Sequence, residues 1–396
     1  MLSSLPKTGY VFWPVGTGDS TTLCVDEDTV LQVDINHLSA AEQDDDDRTP
    51  VIDSLEELLP KRNSRPYLAV FVLTHPDLDH CRGFKELRER IDIGELWFAP
   101  RIFFENKSDL CNDAIDFRDE ARRRVKATID AGGGDVESGD RVQIIGYADL
   151  LEEDDYAGFP DDSLYSPGDT ITHIDGDDRA DAFAAFIHAP FKDDQVASAR
   201  NETSVGLRVE LIAGDGGIGR TFLLGDLSYP TVRRVFDESR DHDNEDKLEW
   251  DVFLSPHHCS KSVMYWKDEG DDEETLRQDI LDDIETAADG NGYIIASSAP
   301  IPAKNKEGDN PPHAKAKARY EEIVPDEFLC TGEHPNESDL EPIVFEVTGQ
   351  GLTYVAPGEE TEPEDQDDAT ELASAISAAQ AGAEPPTERV GFGDSV

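Results

Sequence analysis

The stretch Leu68-Ala-Val-Phe-Val-Leu-Thr74-His75-Pro-Asp77-Leu-Asp79-His80 joins two kinds of sequence. Residues 68–74 are apolar without alternation, which fits a strand covered on both faces rather than one with a wet side. The six residues that follow hold two imidazoles and two carboxylates. They sit between the end of that strand and a helix starting near Gly83. Four titratable groups at a buried strand end are costly unless something compensates them. A turn of this composition can converge nitrogen and oxygen donors on one or two divalent cations. The competing reading is a solvated loop in an acid-rich chain. Two of only ten histidines fall in this turn, which favours the metal.

Outward from this stretch, residues 9–34 read as three short strands, and apolar Val51, Ile52, Leu55, Leu58 and Leu59 mark a helix over 50–60. A polar loop from Ala40 to Thr49 separates them. Helix 83–91 and strand 94–100 follow. A polar helical region over 101–135 stops at a triple glycine, and a weak acidic linker covers 151–180. Strands are expected at 182–189, 204–213, 220–226 and 250–256, with a helix at 229–239. The last third offers helices at 273–288 and 313–323, a strand at 293–298, and a closing strand pair, IVFEV and LTYV. This order, β-rich then α/β and again β-rich then α/β, predicts two mixed sheets covered by helices. From Pro357 the composition is acidic and low in complexity, so 357–396 reads as a disordered tail with a helical turn or two near 370–380.

The chain has 396 residues, with 35 basic and 88 acidic, a formal charge of −53. The acids are dispersed and arginine outnumbers lysine 22 to 13. Both features favour adaptation to a salt-saturated cytoplasm over an acidic nucleic-acid mimic. In molar salt the Debye length is about 3 Å, so this surface does not exclude a nucleic-acid substrate. It does exclude non-specific coating of DNA. No apolar run is long enough to cross a membrane as a helix, and no membrane partner is expected. The opening residues do not read as a secretory signal, and five scattered cysteines fit a reducing compartment, so a cytoplasmic location is expected.

Three other segments place a candidate ligand at a strand end: Asp34 in LQVDIN, Asp226 in RTFLLGD, and His257 and His258 in WDVFLSPHHCS. Each alone is weak, since a strand-terminal Asp is more often a turn former or helix cap; it is their conjunction with the 75–80 turn that makes a candidate site. The glycines of GDGGIG at 214–219 match a dinucleotide fingerprint only by spacing. A strand follows them rather than a helix, so they read as a hairpin turn. His188 reads as a satisfied core or edge histidine, and His37 as a neighbour of Asp34. His173, His242 and His334 read as solvated.

Together these segments resemble the metallo-β-lactamase fold superfamily, and more closely the hydrolase domain of the competence DNA-uptake proteins. The resemblance rests on Val15-Gly-Thr-Gly-Asp19-Ser20, Val33-Asp34-Ile35-Asn36, Thr74 to His80, and Asn201-Glu-Thr-Ser204. It continues through Leu223-Leu-Gly-Asp226, Pro256-His257-His258-Cys259-Ser260 and a helix start at His313. It spans roughly 9–355, with 101–180 as a helical and acidic insertion. It implies an α/β fold, an αββα sandwich of two mixed β-sheets flanked by helices, over 1–356. It also implies two divalent metal ions, Zn²⁺ or Mn²⁺, held by His75, Asp77, Asp79, His80, Asp226 and His257, with Asp34 and Asn201 in support. His258 then faces substrate or stands behind the ligands, and an exchange of roles within the His257–His258 pair is left open.

The departures bear on chemistry. Asp77 stands where true β-lactamases carry a second histidine, and Asn201 where they carry another, so the site is richer in oxygen. Cys259 replaces a usual glycine and reads as a packed thiol. The resemblance implies a metallohydrolase acting on a phosphodiester through a metal-activated water. Asp79 would orient that water and accept its proton, and His258 or His313 would assist the leaving group. The alternative is a non-catalytic or regulatory binding module in a DNA-processing or defence assembly, motivated by Asn201. A β-lactamase is disfavoured by Asp77 and by the absence of an export signal.

Overall fold

The computed structural model describes residues 2–43, 46–132, 136–147, 149, 156–194 and 199–358. The chain divides into two units, Met1–Glu359 and Glu360–Val396. The acidic tail expected over 357–396, and its helical turn, lie outside the described residues from 359 onward.

The first sheet is built from β1 (Gly9–Phe12), β2 (Thr21–Asp26), β3 (Thr29–Val33), β4 (Arg65–Leu73), β5 (Asp92–Phe98), β6 (Arg141–Ile145) and β7 (Leu164–Tyr165). The second holds β8 (Thr170–Ile171), β9 (Phe183–Ala189), β10 (Gly206–Ile212), β11 (Ile218–Leu223), β12 (Trp250–Leu254), β13 (Ala288–Ala296) and β14 (Phe328–Cys330). The closing hairpin, β15 (Ile343–Thr348) and β16 (Gly351–Val355), returns to the first sheet and pairs with β1. Each sheet begins antiparallel and turns parallel: from β3–β4 onward in the first, from β11–β12 onward in the second.

The two sheets face each other across one core, where Tyr10, Leu31, Val70, Val72 and Trp97 meet Phe183, Leu207, Val209, Val252 and Ile295. The Tyr10 hydroxyl crosses the gap and donates to the Gly219 carbonyl at 2.7 Å. Helices α1 (Val51–Leu58), α3 (Phe84–Arg90) and α4 (Asn112–Ala131) cover the outer face of the first sheet, after the short turn α2 (Leu78–Cys81). Phe117 of α4 packs against Phe71, Phe84 and Phe98 with ring centroids 4.9 to 6.0 Å apart. Truncating such a ring to alanine costs about 3–5 kcal/mol. Helices α5 (Tyr229–Asp241), α6 (Gln278–Ala287) and α7 (Ala314–Ile323) cover the second sheet through Val235, Phe236, Ile280, Ile284 and Tyr320. The layers are therefore helices, mixed sheet, mixed sheet, helices, and β4 is buried on both faces because it separates two cores.

Two expectations are refined. The 101–180 stretch is no appendage, since it supplies α4, β6, β7 and β8 to these layers. Its long helix ends at Gly132, in the left-handed region at φ 63°, as the triple glycine predicts. The 214–219 glycines do form the β10–β11 hairpin turn, closed by Ala213 N–H to Gly217 O at 2.9 Å.

Candidate metal centre

Parallel strands present their carboxyl ends on one edge, the usual place for a ligand in a mixed α/β layer. Four of those ends, from β3, β4, β11 and β12, carry the candidate residues. Asp34 follows β3 in the left-handed region (φ 54°) and donates its N–H to Val72 O at 2.9 Å. Thr74 and His75 follow β4, and Asp77, Asp79 and His80 come from the α2 turn. Asp226 follows Gly225, whose φ is +52°. A Cβ on Gly225 would lie 2.8 Å from Ser204 Cβ and 3.2 Å from Thr74 Cβ, so this close approach requires glycine. After β12, His257, His258 and Cys259 are all left-handed, at φ 51°, 53° and 63°. Each non-glycine residue there costs roughly 1–2 kcal/mol, and the surrounding packing holds that strain. The turn puts the two imidazoles on either side of Asp226.

Asp226 is the centre of the arrangement. Its Oδ1 lies 3.1 Å from His80 Nε2 and 3.5 Å from His258 Nε2. The same His258 nitrogen is 3.3 Å from Asp79 Oδ2. Asp226 Oδ2 lies 3.7 Å from His75 Nε2 and 3.6 Å from His257 Nε2, and it accepts from Asn201 Nδ2 at 3.3 Å. Asp77 Oδ2 approaches His75 Nε2 at 3.7 Å. The carboxylate thus separates two groups of donors.

The far nitrogen of each buried ring is fixed from behind. Asp34 Oδ2 takes His80 Nδ1 at 2.7 Å, while Asp34 also accepts Thr74 N–H at 2.8 Å and Thr74 Oγ1–H at 2.6 Å. His258 Nδ1 faces Ser297 O at 3.2 Å and Asp19 Oδ1 at 3.3 Å, both acceptors. His75 Nδ1 lies 3.2 Å from both Thr74 Oγ1 and Ser204 Oγ. Those hydroxyl protons go to Asp34 and to Asn201 O, so the hydroxyl oxygens accept from the ring. At all three rings Nδ1 is therefore fixed as a donor and Nε2 is turned inward, the orientation of metal-ligating histidine.

Those inward atoms have no hydrogen-bond partner: His75 Nε2, His80 Nε2, His258 Nε2 and Asp226 Oδ1 are all buried and unsatisfied. Leaving one such group unpaired costs about 1–3 kcal/mol, so four aimed at one another point to a cation. Ligand atoms of Asp19, His80, Asp226 and His258 all lie within 4.8 Å of one another. With metal–ligand bonds of about 2.0–2.2 Å, a tetrahedral edge is about 3.3–3.6 Å, close to the separations around Asp226. The residues present fit a divalent ion.

The protein's own charges tell the same story. Burial disfavours a charged His258, but the Asp226 and Asp19 carboxylates outweigh it and raise its pKa to about 10. Burial likewise opposes a charged His80, and Asp226 and Asp34 push it well above the usual value. Burial dominates at His75 and lowers it to about 3. Burial also opposes the charged Asp226, yet the neighbouring imidazoles hold its carboxyl well below the ordinary range. Protons stand where a cation would.

Among the residues expected from sequence, the structure brings together His75, Asp77, Asp79, His80, Asp226, His257, His258, Asp34 and Asn201. It orders them differently in two respects. His258, expected behind the ligands or facing substrate, is the buried ring of the Oδ1 group, whereas His257 is 29 % exposed at the rim. His313, expected to assist a leaving group, has no ring nitrogen to spare. Its Nδ1 accepts from Lys261 N–H at 3.2 Å and its Nε2 faces Asp309 O at 3.1 Å, so it braces the 259–261 turn. His334, expected in solvent, is buried between Glu341 O and the Tyr354 hydroxyl. His37 pairs with Glu42 at 3.0 Å rather than with Asp34. His188 is satisfied by Lys247 O and Ser239. Cys259 is packed in the core, as read. Sequence reading missed Asp19 as a member of the cluster, although its turn was quoted. It also missed Arg200, whose Nη2 lies 3.0 Å from Asp77 Oδ1. Neither has a signal in local spacing. No protein-family model matches the chain, and no curated protein matches it.

Proposed function

We propose that this chain is a metallo-β-lactamase-fold hydrolase that holds two divalent cations, Zn²⁺ or Mn²⁺, on either side of Asp226 and cleaves a phosphodiester. The observation that carries the reading is the set of buried, unpartnered atoms, Asp226 Oδ1 and the Nε2 of His75, His80 and His258, brought together from the ends of β4, β11 and β12. The four-layer arrangement and the motif order support the fold assignment.

His80, His258, Asp79 and Asp226 Oδ1 would hold one ion, with Asp19 behind His258. His75, Asp77, His257 and Asp226 Oδ2 would hold the other. Bound cations would supply Lewis acidity, lowering the pKa of a water and polarising the scissile group. The chain's own residues supply position. Asp34, Ser297 and the Thr74–Ser204 hydroxyls fix the three buried rings. Asp79, with 35 % of its side chain exposed, is the member of the cluster facing outward. It orients an attacking water by accepting its hydrogen bond and is placed to take its proton. His313 is not assigned a role in proton transfer.

A second reading, a binding module without catalysis, is favoured by one pair of observations: Asn201 offers no imidazole to the Oδ2 group, and Arg200 engages one oxygen of Asp77. The test is metal quantification on the chain purified in high salt, followed by assay on bis(p-nitrophenyl) phosphate and single-stranded DNA. Two metals per chain with turnover, both lost in His75→Ala and Asp226→Ala, is the expected result. Full metal occupancy without turnover of either substrate establishes the binding module instead. Less than one metal per chain sinks the centre altogether.

A further inference from the structure

Cys81 is the last residue of the α2 turn, next to His80, and is fully buried. Its thiol donates to Asp77 O at 3.1 Å, so it closes the turn that carries three candidate ligands. Its Sγ also lies 3.6 Å from Sγ of Cys111, thirty residues on. Cys111 is half-buried and caps the N-terminus of α4, where its sulfur accepts from Ala114 N–H at 3.3 Å. Asp113, in the first turn of the same helix, accepts from the N–H groups of Gly83 and Lys85 at 3.2 and 3.4 Å. The helix start and the metal-holding turn are thus one mechanical unit. Cys24, Cys259 and Cys330, by contrast, are buried thiols within the cores or beside them.

We propose that Cys81 and Cys111 are a redox-active pair that a hydroperoxide oxidises to a disulfide, and that closing this bond loosens the metal-holding turn. The division of labour follows from their surroundings. Cys111 has access to solvent, and the one Cys81 thiol proton, shared between Asp77 O and the Cys111 sulfur, together with the Ala114 N–H outweighs burial and lowers its pKa to about 6. A thiolate of this kind is the attacking species. Cys111 sulfur attacks the distal peroxide oxygen; an S–O bond forms, the O–O bond breaks, and the leaving alkoxide or hydroxide takes a proton. The Cys81 sulfur then attacks that sulfenic acid; the S–S bond forms, the S–O bond breaks, and hydroxide leaves as water with the Cys81 proton. Two thiols lose two electrons and one hydroperoxide is reduced to an alcohol, or to water in the case of hydrogen peroxide.

The mechanical consequence is set by distance. A disulfide is about 2.05 Å long, so the sulfurs must close from 3.6 Å. Cys81 then has no proton to give Asp77 O, and the turn holding Asp77, Asp79 and His80 loses its closing hydrogen bond. The effect on metal rests on the metal-centre reading above; the chemistry of the thiol pair does not.

The experiment treats the full chain with one equivalent of hydrogen peroxide. It then reads intact mass, the linked peptides, and Zn²⁺ affinity by competition with a fluorescent chelator, before and after dithiothreitol. Expected are a loss of two mass units, a peptide joining Cys81 to Cys111, and a Zn²⁺ affinity at least tenfold weaker that dithiothreitol restores. Cys111→Ser should keep its affinity through the same treatment. Oxidation of Cys111 alone, without the linked peptide, overturns the pair. A linked peptide with unchanged Zn²⁺ affinity overturns the coupling to the turn. Should the reduced wild type bind no Zn²⁺ at all, the metal-centre reading fails, and the mass and peptide readouts still decide the thiol pair.

Discussion

Among the described residues, the buried carboxylate clusters around Glu95 and around Asp226 are built on opposite rules. Around Glu95, every oxygen has a protein donor: Gln143 Nε2 at 2.8 Å on one, Trp97 Nε1 at 3.0 Å and Asp175 N–H at 3.1 Å on the other. Asp175 is held in turn by the Tyr67 hydroxyl, Ser138, Arg62 and Arg141. Around Asp226, the Nε2 atoms of three buried imidazoles converge without a hydrogen-bond partner. Burial raises Glu95 to about 7, while the imidazoles hold Asp226 far down. A buried carboxylate that meets donors is part of the scaffold. One that gathers several buried, unpaired inward atoms has the makings of a cation site.

The comparison breaks most decisively at Asp226. Asp226→Ala should abolish metal binding as measured by mass spectrometry of the isolated protein, with hydrolysis falling at least a thousandfold. Retention of both would place the centre elsewhere. The scaffold cluster should fail differently. Asp175→Ala removes the carboxylate shared by Arg62, Tyr67, Ser138 and Arg141 and should cost about 3 kcal/mol in urea denaturation, with metal content per folded chain unchanged. A loss of metal there would erase the distinction between the clusters. Asp34→Asn sharpens it further. The side chain keeps its shape but loses the charge and one of the two acceptor oxygens that hold Thr74 and His80, so metal affinity should drop about 10- to 100-fold and folding stability by about 1–3 kcal/mol.

The smallest effect concerns a histidine outside both clusters. His188 is buried and neutral, lowered to about 3 by burial. Its folded pKa lies below the ordinary value near 6.5, so the unfolded chain binds the extra proton as pH falls. Stability is therefore complete above about pH 6.5 and declines from there toward pH 3. Between pH 7.5 and 5.5 this one group should remove about 1.4 kcal/mol, and His188→Gln should flatten that part of the profile in thermal denaturation.

The local patterns were legible wherever one physical cause acted alone. The unalternating run 68–74 suited a strand covered on both faces, and Gly132 could stop a helix because glycine tolerates φ 63°. The strand-end acids and imidazoles were visible for the same reason: polar groups at the end of a buried run need a partner. Ligand order within the His257–His258 pair was not legible, because three consecutive left-handed residues decide which ring goes inward, and nothing in their side chains announces that backbone. His313 misled because a histidine at a helix start looks the same whether it faces substrate or braces a turn. His334 misled because its partners, Glu341 and Tyr354, are reached only through the closing hairpin.

The chain's composition and periodicity by themselves determined two mixed sheets under helices and a set of donors at strand ends, since burial pattern and turn chemistry are written residue by residue. Tertiary structure alone decided that Asp226 stands between those donors, that Asp19 joins them, and that Cys81 meets Cys111. Such meetings depend on where strands far apart in the chain end in space, and that is set by how two sheets pack on a common core.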